Sequence, residues 1–410
     1  MNFPQQVSKL ASGAALRNIT LALFLVVLGA SAALAQTRAY VSNFDDNTVS
    51  AIDLATNTVI ATVPVGAGPQ HIAVSPNGAS AYVVNGVDQT ISVINTATNT
   101  VSATLPVAAG DLAFTPNGAF LYAASFDGNV RVINPATNTV VATVAAGGTG
   151  RMAISPNGAF AYVSTNFNGV AVIDTATNTV VGNIGSGNFF LIVAGAIAVS
   201  PNGAFLYVMS DAFGFLSVID TATNAVVTSI PIGLASNIAV TPNGARAYVG
   251  SAIVDTATNT VVATLPVGGR GMAITLDGAS VYVTTFPNTV AVVSTATNTV
   301  TTTIPVGNGS FGIAFQTSLS PQDQITALIA EIQGLIAGGT LTQNQGSGLI
   351  DKLNQIIAKL DNTQTGAACN QLSSFNNQVS GFINSGALTQ SEGQALINAV
   401  NAIKTNIGCP

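Results

Sequence analysis

The sequence predicts an all-β seven-bladed propeller of four-stranded antiparallel blades, followed by a small all-α four-helix domain. Three observations carry that prediction. Every Tyr in the chain, Tyr40, Tyr82, Tyr122, Tyr162, Tyr207, Tyr248 and Tyr282, stands in one repeated context, at steps of 42, 40, 40, 45, 41 and 34 residues. The tripeptide Ala-Thr-Asn also occurs seven times, beginning at Ala55, Ala97, Ala136, Ala176, Ala222, Ala257 and Ala296. After residue 316 the apolar period changes from 2 to about 3.6, the change from strand to helix.

Each repeat reads as four short strands. The Tyr segment leads to an alternating strand such as TISVIN or GVAVID, then the Ala-Thr-Asn turn, then a strand like TVVATLPVG. A short strand follows, centred on Ala73, Ala113, Ala153, Ala198, Ala239, Ala273 and Ala314, and leads in five copies to Pro-Asn-Gly and in the sixth to Leu-Asp-Gly. Asn and Gly tolerate the positive backbone angles of tight turns. Four strands in a unit of roughly 40 residues make a propeller blade rather than a helical solenoid. The repeated Ala has a geometric reason, because innermost strands converge on the axis and a larger side chain would wedge blades apart. The first repeat begins at the second strand of a blade, residues 38–43, and the last stops after its inner strand, residues 311–316. Pairing these two segments completes a blade and removes two open sheet edges, which otherwise template aggregation. A transmembrane barrel would alternate over ~10-residue strands with aromatic girdles and needs no such repeat.

Four amphipathic stripes follow the propeller. They are carried by Ile325, Leu328, Ile329 and Ile332; by Leu349, Leu353, Ile356 and Leu360; by Leu372, Phe375, Val379 and Phe382; and by Leu396, Val400, Ile403 and Ile407. Thr342 with Gln345 and Thr389 with Glu392 have the spacing of capping boxes and stand 47 residues apart. The module therefore reads as two duplicated helical hairpins. Antiparallel pairing of the third and fourth helices sets Cys369 near Cys409, so a disulfide is expected, with free thiols or an intermolecular bridge as the alternative.

The leader and the charge place the protein in the cell. Residues 1–18 hold Lys9 and Arg17 and no acid, residues 19–34 are almost wholly apolar, and Ala33-Leu34-Ala35 precedes Gln36. This is the pattern of a cleaved secretory signal peptide over residues 1–35, with the propeller expected at 36–316 and the helical domain at 317–410. Export to the periplasm, the medium or the cell surface follows, with oxidising conditions for the cysteines. No transmembrane segment is expected in the mature chain, since the longest later apolar run spans only residues 189–199. The net charge is −6, and losing Lys9 and Arg17 makes it −8. Residues 36–316 hold five Arg and no Lys, which argues against nucleic acid as a partner.

The AYVSN, AYVVN and YVTT segments, with SPNGA and IDTATNTV, resemble the YVTN family of seven-bladed bacterial and archaeal propellers over residues 38–316. That resemblance implies an exported or surface protein and names no chemistry. The stretch from SPQDQITALIAEI through SSFNNQVSGFINSG is similar to the FIMAH domain over roughly residues 318–408. It implies an interaction or attachment role.

The residue inventory excludes much chemistry. With His71 the sole histidine and no cysteine in the propeller, zinc sites and haem axial ligation lack their ligands. No G-x-S-x-G elbow surrounds any Ser. The acids Asp53, Asp174, Asp220 and Asp255, replaced by Asn95 and Asn134 in two repeats, precede the Ala-Thr-Asn turn and read as turn caps. Asp45, Asp46, Asp88, Asp127 and Asp211 lie in loops between second and third strands. Their oxygens suit calcium, but no spacing resembles an EF-hand, and neither a metal nor another cofactor is expected. Phe44, Phe126, Phe167, Phe213 and Phe286 share those loops, either packing beneath them or offering an aromatic platform.

A site is expected where the repeats differ. Tyr248 and Asp255 are seven residues apart, against thirteen between Tyr82 and Asn95, so the sixth repeat has a shortened loop. The fourth gains an apolar insert around residues 189–194 before its inner strand. On the same face the residue just before each inner strand should ring the channel mouth: His71, Asp111, Arg151, Ala196, Asn237, Gly271 and Gly312, with Arg270 close by. His71, Asp111, Arg151, Asn237 and Arg270 are the candidate ligand-binding residues, and no catalytic residue is assigned. The leading expectation is a non-catalytic binding or scaffolding protein that recognises a protein, peptide or glycan on its propeller face. The alternative is a lactonase-like hydrolase using loop carboxylates, with or without a bound metal.

Overall fold

The computed structural model describes residues 35–165, 169–185, 194–210, 213–318, 321–362 and 364–409. The leader expected at 1–35 lies outside the described residues save its last position, as do Phe167, Asp211 and residues 189–193 of the apolar insert.

The strands form seven blades. Blade one joins Ala35–Asn43, Thr48–Asp53 and Thr58–Pro64 to the last strand, Ser310–Ser318, which lies innermost. Tyr40 pairs with Ala314 and Ala35 with Ser318, so the closing strands run longer than the segments 38–43 and 311–316. Blade two is Pro69–Val74, Ser80–Asn85, Thr90–Asn95 and Thr100–Leu105; blade five is Ala194–Val199, Phe205–Ser210, Phe215–Asp220 and Ala225–Pro231. Blade six is Ile238–Val240, Arg246–Val249, Ala252–Asp255 and Thr260–Thr264; blade seven is Met272–Ile274, Ser280–Thr285, Thr289–Ser294 and Thr299–Pro305.

Blades three and four share one sheet. Strand Thr139–Ile154 is the outer strand of blade three, with Asp111–Phe114, Leu121–Ala124 and Gly128–Asn134, and runs on as the inner strand of blade four, with Phe160–Thr165, Val170–Asp174 and Thr179–Ile184. The sequence had suggested two separate strands. The intervening AAGGTG segment holds Gly147 and Gly150 at φ of 68° and 87°, outside strand geometry, and these glycines let the chain turn from one ladder into the next, each ladder breaking register there.

The repeated Ala and Tyr are cross-strand partners in every blade: Ala73 with Tyr82, Ala113 with Tyr122, Ala153 with Tyr162, Ala198 with Tyr207, Ala239 with Tyr248, Ala273 with Tyr282, and Ala314 with Tyr40. The core is a set of apolar layers between neighbouring blades. One layer holds Tyr82, Val84, Leu121 and Ile133, and another joins Tyr282 and Val290 to Val41 and Ile52. Second and third strands are therefore buried on both faces.

The Tyr hydroxyls stitch this arrangement. Those of Tyr40, Tyr82, Tyr122 and Tyr282 donate to Oδ1 of Asn99, Asn138, Asn178 and Asn57, each in the Ala-Thr-Asn turn of the next blade, at 3.1, 2.7, 2.6 and 2.7 Å. These Asn residues sit at φ between 52° and 55°, so the same side chain makes the turn and receives the neighbouring blade.

Four helices follow: α1 (Pro321–Ala337), α2 (Gln343–Asp361), α3 (Thr365–Asn384) and α4 (Gln390–Asn406). Their cluster, with Ile325, Leu353, Phe375 and Leu396 fully buried, contains helical and interhelical residues alone. Thr342 and Gln345 form a reciprocal capping box, and Thr389 and Glu392 repeat its bonds. The duplication extends to packing: a Cβ at Gly346 would fall 2.2 Å from Ile336 Cδ1, and one at Gly393 2.2 Å from Ile383 Cγ1. Cys369 and Cys409 are joined in a disulfide with Cα atoms 5.5 Å apart. Among the described residues, no helix is long and apolar enough to cross a membrane.

Candidate functional site

The seven positions expected at the channel mouth each lie two residues before the repeated Ala. Inner strands approach closely there. A Cβ at Gly271 would stand 2.2 Å from the Phe311 carbonyl oxygen, and one at Gly312 2.3 Å from that of Gln70. Ser42 fixes this arc, its hydroxyl donating to Gln70 O at 2.5 Å and accepting from Gly312 N at 2.8 Å.

Where the arc turns from glycine to polar residues, three successive blades bring His71, Asp111 and Arg151 together. His71 Nδ1 lies 3.6 Å from Asp111 Oδ1, with the side chains 18% and 19% exposed. Arg151 Nη1 approaches both ring nitrogens, standing 3.3 Å from Nδ1 and in closest contact with Nε2. A guanidinium donates and never accepts, so the imidazole must offer it a lone pair. The electrostatics agree: burial is the main force holding the His71 pKa down to about 4, Arg151 adds to it, and Asp111 opposes it. The ring is neutral at neutral pH.

Asp111 is fixed from below. Its Oδ1 accepts from Leu112 N at 2.9 Å and its Oδ2 from Met152 N at 3.2 Å, the second bond crossing between blades three and four. Arg270 reaches the cluster through an aromatic ring. Its Cζ lies 5.4 Å from the centroid of Phe311, and Phe311 meets the His71 ring edge-on at 5.4 Å. Phe44 stands against the same ring at 6.4 Å. Phe311 was not singled out from the sequence. It occupies the column of Arg270, one residue before the ring position, and comparing that column across repeats would have raised it.

Asn237 is not brought to this cluster. It is 8% exposed, donates to Gly269 O at 2.7 Å and accepts from Gly250 N at 3.2 Å, and so braces the shortened turn of blade six. Ala196 is buried, 7% exposed.

Asp46 and Asp88 brace the connections that lead into the inner strands of their blades, and Asp127 serves its own hairpin. Asp46 accepts from Asn308 N at 2.7 Å, Asp88 from Ala67 N at 2.6 Å, and Asp127 pairs with Arg131 at 2.6 Å. Among the described residues, no group of three or more His, Cys, Asp or Glu side chains is placed to hold a metal. Asp53, Asp174, Asp220 and Asp255 each cap their turn through Oδ1, accepting from the backbone N–H groups two and three residues on. Of the loop aromatics, Phe126 and Phe286 are 71% and 75% exposed, while Phe126 also covers the contact between Gly110 and Gly150.

Residues 32–178 match the family model described as "Lactonase, 7-bladed beta-propeller". That stretch contains His71, Asp111 and Arg151. No curated protein matches the chain. Among solved structures, a hydrazine synthase of Kuenenia stuttgartiensis aligns with a TM-score of 0.56 at 20% identity, covering 63% of this chain and 93% of that one. The dihydro-heme d1 dehydrogenase NirN aligns with a TM-score of 0.53 at 14% identity, covering 68% and 75%. At such identities the likeness extends to the propeller fold.

Proposed function

We propose that this is an exported binding protein of the YVTN kind, which takes a carboxylate-bearing ligand, an acidic peptide or small organic acid, at the channel mouth. The observation that carries the reading is the joining of Arg151 to His71 and of Arg270 to Phe311, whose ring meets that of His71, with Asp111 the one carboxylate in contact among the described residues. Two guanidiniums against one carboxylate leave an excess positive charge in a domain with few charges, and poorly charged walls strengthen its field. Phe311 supplies an apolar face beside it, as ligand sites generally combine apolar surface with a few directed polar groups. The helices, similar to a FIMAH domain, would act as the docking or attachment element. The disulfide fits an oxidising compartment.

The test is calorimetric titration of the full chain with small carboxylates and acidic peptides. Arg151→Gln and Arg270→Gln should each weaken binding by about tenfold or more, as loss of a charge-assisted hydrogen bond does. Binding that survives both changes would move the site to the exposed aromatic loops or the helices.

A second reading is favoured by the lactonase family model and by the neutral state of His71. In it, Arg151 turns from the imidazole to the lactone carbonyl and holds the developing oxyanion, which frees the His71 lone pair to accept the proton of the attacking water, and the leaving ring oxygen takes that proton back. The hydrolytic carboxylates of the loops play no part. Lactone turnover lost on His71→Gln would select this reading over simple binding.

A further inference from the structure

The four most exposed large apolar side chains among the described residues, Val87, Phe126, Leu234 and Phe286, are 65%, 71%, 76% and 75% exposed. All four stand on the face that holds the channel mouth. Val87, Phe126 and Phe286 lie in loops between second and third strands, and Leu234 lies in the connection from blade five to blade six. Single exposed apolar residues are ordinary, but their gathering on one face marks a surface that takes a partner. Two of them flank the polar cluster. The Phe126 ring lies over Gly110 and Gly150, where added Cβ atoms would fall 2.9 and 3.1 Å from it. Those glycines immediately precede Asp111 and Arg151. On the His71 side, a Cβ on Gly68 would fall 2.5 Å from Val87 Cγ2 and 3.1 Å from Phe44 Cε2, so Val87 and Phe44 meet over that glycine. Phe44 in turn stands against Phe311, whose ring meets His71 and lies under Arg270.

We propose that the ligand of the channel mouth is an aryl monocarboxylate, its carboxylate held by Arg151 and Arg270 and its aromatic body laid against Val87 and Phe126. The inference rests on the carboxylate reading above and narrows it. Arg151 and Arg270 exceed Asp111 by one charge, which suits one carboxylate and not two. The loops of Phe44 and Val87 also carry the exposed acids Asp45, Asp46 and Asp88. A second negative charge on the ligand would meet these acids, whereas an apolar body would not. Val87 and Phe126 already face solvent, so covering them requires no opening of the core, and apolar area removed from water favours binding. Phe126 and the Phe44–Phe311 pair favour an aromatic body over an aliphatic one, because rings add edge and offset contacts to the area they bury.

The experiment is a ligand-observed NMR titration of the full chain with acetate, succinate, phenylacetate and phenethyl alcohol. Phenylacetate should bind about tenfold more tightly than acetate or succinate, and phenethyl alcohol no better than acetate. Val87→Ser and Phe126→Ser, both at exposed positions, should remove most of the advantage of phenylacetate while leaving acetate binding unchanged. Arg151→Gln should weaken both carboxylates alike. Leu234→Ser, on the same face and similarly exposed but between blades five and six, should change neither. Equal binding of acetate and phenylacetate, or a phenylacetate advantage indifferent to both Ser variants, would overturn this inference and leave the carboxylate reading standing. Phenethyl alcohol binding as tightly as phenylacetate, or no binding of any carboxylate, would overturn both.

Discussion

The hydroxyl of Tyr82 donates to Asn138 Oδ1 across the seam between blades two and three, at 2.7 Å. It is one of four such bonds, and it ties the most repeated residue of the second strand to the most repeated residue of the third turn. Sterics and hydrogen bonding thus select the same Asn.

Replacing Tyr82 or Tyr122 by Phe should therefore cost more than replacing Tyr248. The first two variants strand a buried Asn oxygen and should lose about 1 kcal/mol or somewhat more. Tyr248 makes no such bond, so its Phe variant should unfold at nearly the wild-type denaturant midpoint. Equal losses at all three positions would mean that ring packing, and not the hydroxyl, joins the blades.

The blade count, the strand order and the ring closure were legible because one residue pattern is repeated seven times, which averages out local ambiguity. The Tyr to Asn bonds were not, although both columns were visible, because their partners lie in different repeats and a sequence shows no neighbour across a seam. The channel mouth was half legible. His71, Asp111 and Arg151 share a register position that repeat spacing reveals, whereas Asn237 shares the position yet turns to brace Gly250 and Gly269. Side-chain direction depends on the shortened loop of blade six, and spacing alone does not specify it. The continuous strand Thr139–Ile154 escaped because a glycine run reads as a break until its pairing into both ladders is seen.

Asp111 and Arg151 should separate in a stability measurement. Asp111→Ala removes the acceptor of two backbone N–H groups, one of them between blades, and should cost about 1–3 kcal/mol. Arg151→Gln removes a donor to the His71 ring but leaves every backbone bond of the cluster in place, and should cost about 0.5–1.5 kcal/mol. A ligand-binding comparison is therefore cleaner with Arg151→Gln. Chemical denaturation of both variants checks the difference.

Acid should weaken the fold in two stages. His71 holds its proton only below about 4 in the folded chain, against an ordinary value of 6.5, so the unfolded chain binds the proton first as pH falls. Stability is then lost between about pH 6.5 and pH 4, and His71→Gln should flatten that limb. Asp53, Asp174, Asp220 and Asp255 are shifted the other way, below 3.8, by the N–H groups of the turns they cap. Their contribution is intact above that value and is lost below it. A single acid transition, unchanged in His71→Gln, would show that the imidazole is accessible to protons in the native state.

The disulfide closes a loop of 40 residues around α3 and α4. In the chain-entropy account such a bridge stabilises by up to ~4 kcal/mol. Because the helices share a cluster to which the strands contribute nothing, a fragment from residue 318 onward should fold alone, and reduction should lower its melting temperature while leaving it helical. Two titratable thiols in material from an oxidising compartment would refute the bridge.

The ring closure makes the strongest demand on residues 38–43. Within this segment Arg38 donates to Thr96 O, Tyr40 to Asn99 and Ser42 to Gln70 O, while the backbone pairs with both Thr48–Asp53 and Ser310–Ser318. Deleting it exposes one edge on each flanking strand and leaves the apolar layers on both sides of blade one without Ala39, Tyr40 and Val41, which are fully buried. Exposed edges beside an uncovered apolar face promote association. The deletion variant should aggregate or lose cooperative unfolding, and a peptide of residues 36–43 added in excess should restore part of the transition by refilling the gap. The peptide matters because it distinguishes two causes of failure. If the deleted chain melts as the wild type does, the last strand has re-paired directly with Thr48–Asp53, and the propeller closes without its first strand. If it fails and the peptide rescues it, closure depends on that strand pairing on both sides.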